Sequence, residues 1–308
     1  MAIADVRGVV RASTLQIWVP LVTLWVIWGS TYLGIALVDG SMPPLLANGF
    51  RFLTATWVLA GALLIIKGPK FLRVTWSQLA YCALMGCMLL GIAIGTLSMA
   101  ERYVPSGVAA LIVAVMPLWI VLLRIKSGDR PSKFTFAGVA LGMTGLALML
   151  LPGGTTPRSG TDSDVVIWSF MLLLSSMSWV YFSWRSTSFT LPANTFVTTM
   201  YELLAAGAML LGIGALRGER INFESFTRQS WFGWGWLVIA SLIGYSAYSY
   251  LIANAPLSLV STYAYVNPVV AVLLGWFIIR EPVTPDVVIG FTVVLGGVIL
   301  VTSGERGS

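Results

Sequence analysis

The stretch from Asn254 to Pro282 reads NAPLSLVSTYAYVNPVVAVLLGWFIIREP, and it has a counterpart upstream, YVPSGVAALIVAVMPLWIVLLRIKSGDRP, from Tyr103 to Pro131. Three prolines recur at one spacing: Pro105 with Pro256, Pro117 with Pro268 and Pro131 with Pro282, an offset of 268 − 117 = 151 residues. The same offset pairs Trp28 with Trp179, Gly61 with Gly212, Gly145 with Gly296, and Arg51 with Glu202. Weak self-similarity of this kind marks two copies of one structural unit.

Working outward, the rest of the chain is equally apolar. Of 308 residues, 57% are hydrophobic and 10% charged, whereas a soluble chain carries about a quarter charged residues. Ten stretches approach the ~20 apolar residues that cross a bilayer: 17–38, 45–66, 77–99, 105–124, 134–151, 165–184, 196–216, 232–253, 257–279 and 286–302. Each half then holds five spans. An odd number predicts that the second half enters the membrane in the opposite orientation, an inverted-topology repeat. The expected fold class is an all-α polytopic membrane protein of ten transmembrane helices in two five-helix repeats, residues 1–153 and 154–308. The polar insert Pro152 to Asp164, PGGTTPRSGTDSD, reads as a flexible linker between them.

Loop charges predict the orientation. With the N-terminus inside, the inner side collects Arg7, Arg11, Lys67, Lys70, Arg73, Arg124, Lys126, Arg130, Lys133, Arg185 and Arg306. The outer side collects Arg102, Arg158, Arg217, Arg220, Arg228 and Arg280. The excess puts both termini in the cytoplasm, and it comes from the first half. Residues Met1 to Thr14 carry no cleavable signal pattern, so the first span is expected to stay as an anchor. The net charge of +6 follows from these loops, and no aromatic-basic patch suggests a nucleic-acid partner. Cys82 and Cys87 share one span about 140° apart around a helix and read as apolar filler.

Candidate functional residues follow from what lipid penalises. Pro117 and Pro268 fall mid-span, where each removes a backbone hydrogen bond and bends its helix. They read as a paired gating hinge or as fixed packing kinks. Asn267, an amide next to Pro268, needs a partner. Trp25, Trp28, Ser30, Thr31 and Tyr32 in span 1 join Ser175, Trp179 and Ser183 in span 6, Ser241, Tyr245, Tyr248 and Ser249 in span 8, and Ser261, Thr262, Tyr265 and Asn267 in span 9. Together they suggest an aromatic-walled, hydroxyl-dotted cavity for a zwitterion or a mostly apolar solute. The competing reading is interhelical hydrogen bonding with aromatic belts at the interfaces. Arg51 and Glu202 are intramembrane charges: a substrate carboxylate site and a proton-coupling acid on one reading, interfacial residues on the other. The interfacial reading is preferred. Gly138 and Gly142 form a small-residue face for close helix contact, a candidate joint between the last helices of the two repeats. The chain has no His, no metal cluster, no GxSxG and no phosphate loop, so it is expected to be neither an enzyme nor a cofactor carrier.

Three passages carry a family resemblance: WVIWGSTYLGIA from Trp25 to Ala36, NGFRFL from Asn48 to Leu53, and STYAYVNPVVAVLLGWFIIREPVTPDVVIGFTVVLGGVIL from Ser261 to Leu300. With them the whole chain resembles the EamA family of the drug/metabolite transporter superfamily. The resemblance implies two EamA repeats, cytoplasmic termini, and export of amino acids or related metabolites from bacterial cells through a central cavity lined by helices 1, 3, 4, 6, 8 and 9. Departures matter. Asp129-Arg130 stands where the second repeat has Arg280-Glu281, which makes Glu281 a structural loop residue. Spans 1 and 6 lack the buried Glu that small multidrug relatives use for proton exchange. The expected function is a secondary exporter of small organic metabolites across the bacterial inner membrane by alternating access. The alternatives are a multidrug or organic-cation efflux transporter and a non-transporting membrane scaffold. Expected partners are the bilayer and a small-molecule substrate, with the chain a monomer or homodimer.

Overall fold

The computed structural model describes residues 14–128, 132–150, 157–255, 257–280, 283 and 285–306. Among these the chain is all-helical. In order come α1 (Thr14–Asp39), α2 (Pro44–Lys67), α3 (Trp76–Met85), a π-helical segment (Gly86–Ile94) and α4 (Gly95–Ala100). Then follow α5 (Ser106–Val113), α6 (Met116–Lys126), α7 (Lys133–Leu150), α8 (Asp162–Arg185) and α9 (Thr195–Leu216). The chain ends with α10 (Arg228–Asn254), α11 (Leu257–Val260), α12 (Tyr263–Ile279) and α13 (Pro285–Arg306). Among the described residues, 7 helices are long and apolar enough to cross a membrane.

Local chemistry fixes where the helices begin. Every helix leaves its first N–H groups without an intrahelical partner. At α3, Thr75 Oγ1 accepts from the Gln78 N–H at 3.2 Å while Gln78 Oε1 accepts from the Thr75 N–H at 2.9 Å, a reciprocal capping box. Thr161 and Asp164 repeat it at α8. Asn194 and Thr227 cap α9 and α10. For α2 the cap comes from a distance: Glu219, between α9 and α10, accepts from the N–H groups of Leu45 and Leu46 at 3.3 and 2.9 Å. A carboxylate there also meets the positive end of the helix.

The linker is tied down where it is described. Arg158 N–H donates to the Tyr103 carbonyl at 2.9 Å, its Nη1 to the Glu101 carbonyl at 3.1 Å, and Ser159 Oγ to the Arg102 carbonyl at 2.6 Å. Tyr103 stacks on Trp168 at 5.9 Å. The expectation of a flexible Pro152–Asp164 segment therefore gives way over residues 157–164, because the backbone of the preceding turn offers free carbonyls. Residues 152–156 lie outside the described ones, as do Arg130, Pro131, Pro256, Glu281 and Pro282.

Packing crosses between the halves. α1 packs on α10 and α12, and α8 packs on the π segment, α4, α5 and α6. α2 lies against α9, and α7 against α13. Adding the 151-residue offset to one set of contacts gives the other, with α2·α9 and α7·α13 mapping onto themselves. Missing side chains permit the close approaches. A Cβ on Gly207 would sit 2.9 Å from Leu53 and 3.0 Å from the Gly49 carbonyl, and one on Gly297 would sit 2.5 Å from both the Gly138 carbonyl and the Gly142 nitrogen. The small-residue face read from the sequence is thus where the last helices of the two halves meet. Gly297→Val is expected to destabilise the protein by about 1–3 kcal/mol through overpacking. The midpoint of heat-induced loss of the monodisperse peak in detergent measures it, and an unchanged midpoint would contradict this contact.

The repeated prolines differ in setting. α5 stops at Val113, and Ala114 and Val115 bridge to α6 with ψ of −5° and −8°. Pro117 falls in the first turn of α6, where its missing N–H costs no hydrogen bond. The helix therefore restarts on Pro117 rather than bending around it, which corrects the mid-helix kink expected there. Pro268 does lie inside α12, while the break in that half comes earlier, at Ser261 and Thr262 between α11 and α12. The prolines are in register and the breaks are not.

Candidate functional site

Trp28 is placed by α1 at the point where α1, α8, α10 and α12 converge. A Cβ on Gly244 would lie 2.6 Å from Trp28 Nε1, so the indole rests on bare α10 backbone. Its ring contacts Trp179 edge-on at 5.4 Å, Tyr248 at 5.0 Å and Tyr263 edge-on at 5.0 Å. Trp28 and Trp179 are the repeat-related pair, and they meet each other. Edge-to-face rings orient one another more firmly than dispersion alone.

Hydrogen bonds lock the wall behind them. Trp179 Nε1 donates to the Tyr248 hydroxyl at 2.9 Å, and that hydroxyl also bonds Ser183 Oγ. Ser183 in turn donates to the Trp179 carbonyl at 2.7 Å. The Tyr263 hydroxyl contacts Met116 Sδ at 3.1 Å, and Trp119 Nε1 donates to Ser176 Oγ at 2.8 Å. In front of them lies a narrow central cavity with about 70 Å³ of free space, room for a few ordered waters.

Its lining brings together Trp28, Thr31, Tyr32, Arg51, Ser175, Trp179, Ser241, Tyr245 and Asn267 from the sequence expectation, with Ser176, Tyr263 and Met116 beside them. Asn267 is buried and bonds Tyr32, while its Oδ1 keeps no partner. The polar lining comes mostly from the second half, but the charged lining residue, Arg51, comes from the first.

Other expected residues sit elsewhere. Ser30 accepts from Trp236 Nε1 at 3.0 Å and donates to the Ile27 carbonyl at 2.7 Å; it joins α1 to α10. Ser183 and Tyr248 stand behind the wall. Ser249 is buried with an unpartnered hydroxyl and does not line the cavity. Tyr265 belongs to α12, and its side chain lies outside what is described.

Arg51 and Glu202 do not reach the protein surface. They are 4% and 2% exposed, because close packing of α2 on α9 turns both into the bundle. Tyr245 donates to the Glu202 carboxylate, whose Oε2 has no partner. Glu202 is therefore one residue removed from the cavity. Sequence reasoning missed Tyr263, Ser176 and Met116 in the wall, and the Asp39–Ser98–Asn48 cluster near it. In that cluster Asn48 Nδ2 donates to Ser98 Oγ at 2.8 Å and Ser98 Oγ to Asp39 at 3.0 Å. Asn48 and Ser98 lie within apolar stretches, and amides or hydroxyls there were the available signal.

Known proteins agree with this architecture. An uncharacterized inner membrane transporter of Escherichia coli strain K12, YedA, is 35% identical over 287 residues, 92% of this chain and 90% of its own. Protein PecM of Dickeya dadantii is 25% identical over 89% of this chain and 88% of its own. A solved crystal structure superposes with a TM-score of 0.68 at 21% identity, covering 94% of this chain and 97% of its own, a likeness of fold. The model of the EamA-like transporter family matches residues 16–151 and 166–303. Two matched units spanning nearly all of an apolar helical chain leave a plain conclusion: it is a membrane protein of the EamA-like transporter family, not an enzyme.

Proposed function

We propose that the chain exports small organic metabolites, amino acids or close relatives, across the bacterial inner membrane by alternating access. The observation that carries this is the central cavity. Its walls are aromatic, its polar groups are mostly neutral, and the repeat mates Trp28 and Trp179 meet edge-on in the wall. Such a site suits a zwitterion with an apolar side chain. Asn267 Oδ1, buried and unpartnered, is an acceptor ready for an ammonium group. Glu202, the carboxylate a cation-efflux transporter would need at the wall, lies behind Tyr245, which favours the metabolite reading. A polar cavity also argues against a passive scaffold.

The same reading gives ten spans in two inverted five-helix repeats with cytoplasmic termini, acting as a monomer or homodimer without a cofactor. The repeat mates α2 and α9 run antiparallel, with Leu46 against Gly214, Gly49 against Leu211 and Leu53 against Gly207, which supports the inversion. The breaks at Ala114–Val115 and Ser261–Thr262, each next to the cavity, are the positions where segments would pivot to part the walls, with Pro117 and Pro268 stiffening the segments that move. The test is flux in vesicles containing only this protein. Saturable counterflow of at least one radiolabelled amino acid is expected, and its absence for all twenty would overturn the amino-acid reading.

A further inference from the structure

A guanidinium taken out of water needs partners for its donors, and in a membrane protein an unmet one marks a site. Arg51 is 4% exposed, and its Nε and Nη1 have no hydrogen-bond partner. The side chain lines the central cavity with Tyr32, Trp28 and Asn267. The Phe52 ring, 4.5 Å from Cζ, covers the flat face of the guanidinium and leaves its edges for ligands. The acidic residues whose charge reaches Arg51 are Asp39 and Glu101. Asp39 accepts from Ser98 Oγ with both oxygens, at 3.0 and 3.2 Å. A planar fork of donors with open edges, at the wall of a cavity, matches a carboxylate better than a rounded or neutral group.

We propose that Arg51 is the anchor for the substrate's carboxylate, holding it at the first-half end of the cavity while the aromatic wall receives the apolar remainder. This rests on the transport reading above and sharpens it. The substrate class becomes monocarboxylates, with amino acids the zwitterionic case. A masked carboxylate loses the anchor even when the rest of the molecule is unchanged.

The experiment is calorimetric titration of the full chain in detergent with L-phenylalanine, its methyl ester and 3-phenylpropionate. The ester is expected to bind the wild type at least about tenfold more weakly than the free acid. Arg51→Gln is expected to weaken L-phenylalanine by about the same factor and to leave the ester unchanged. Equal binding of L-phenylalanine to both proteins would overturn the proposal. So would loss of the ester in parallel with the acid. If L-phenylalanine fails on the wild type while 3-phenylpropionate binds and depends on Arg51, the anchor stands and the amino-acid reading falls. If neither carboxylate binds, both fall. Should Arg51→Gln not give a monodisperse protein, Arg51→Lys decides. It keeps the charge and loses the fork, so the free acids are expected to weaken and the ester to hold; equal binding of acid to Lys and Arg proteins would overturn the proposal.

Discussion

Trp179→Ala is expected to cost about 3–5 kcal/mol of stability, the range for removing a buried Trp or Phe ring, and to abolish saturable transport. Trp179 is 4% exposed. It touches Trp28, Tyr245 and Tyr248 at 5.4, 6.5 and 5.3 Å, so its loss leaves a void that three rings cannot fill together. Trp28 would lose one of its two edge-on partners and keep Tyr263. Trp179→Phe separates ring from hydrogen bond. It keeps most of the volume but removes the Nε1 donation to the Tyr248 hydroxyl at 2.9 Å, and that hydroxyl retains Ser183. The expected cost is about 1 kcal/mol, with transport largely kept. The checks are the thermal midpoint of the monodisperse species in detergent and flux in vesicles. Equal effects of Ala and Phe would mean that the indole donor, not the packed ring, holds the wall.

Gly86→Ala is the second large effect, and it acts through backbone. A Cβ at Gly86 would stand 2.1 Å from the Glu202 carbonyl oxygen and 2.8 Å from its Cα and carbonyl carbon. A side-chain tip can rotate away, but α9 backbone moves only as a unit with Glu202 and Tyr201. Overpacking of this kind costs about 1–3 kcal/mol, and here the upper end is expected. Two comparisons isolate the cause. At Gly91 a Cβ meets Met209 Sδ at 2.6 Å, the far part of a flexible side chain, so Gly91→Ala is expected to be milder. At Gly61 nothing lies within 4 Å, so Gly61→Ala is expected to be neutral or stabilising by about 1 kcal/mol from helix propensity alone. A Gly86→Ala protein as stable as Gly61→Ala would rule out the contact between the π segment and α9. π-helical insertions are often kept where they serve function, and this one supplies Leu90, Ala93 and Ile94 to the cavity wall.

The sequence read some of the site and not the rest, and individual residues show why. Trp28, Tyr32, Trp179, Tyr245 and Asn267 were found because rings and amides in an apolar run stand out against their neighbours. Ser30 carried the same signal, yet its hydroxyl meets Trp236 between helices. Tyr263, whose ring meets Trp28, follows the break by one residue, and nothing in the run singles it out. Gly244 looked like any helical glycine until an indole was found lying on it. Arg51 and Glu202 were recognised as unusual, but their depth depends on how closely α2 approaches α9, which Gly49 and Gly207 permit only once the two helices are aligned.

By itself the sequence determined that the chain belongs in a membrane, that its apolar stretches are spaced as two related halves, and that its family motifs lie where EamA proteins carry them. These are properties of composition and order, and lipid imposes them on the chain directly: a span must be apolar and about 20 residues long whatever it packs against. The tertiary structure alone decided which face of each helix turns inward. In a soluble helix the polar side announces the exterior. In a membrane helix the lipid-facing and protein-facing sides are both apolar, so rotation is set by ring-on-glycine contacts such as Trp28 on Gly244 and by hydrogen bonds such as Trp179 to Tyr248. The meeting of Trp28 with Trp179 and the burial of Arg51 follow from that rotation.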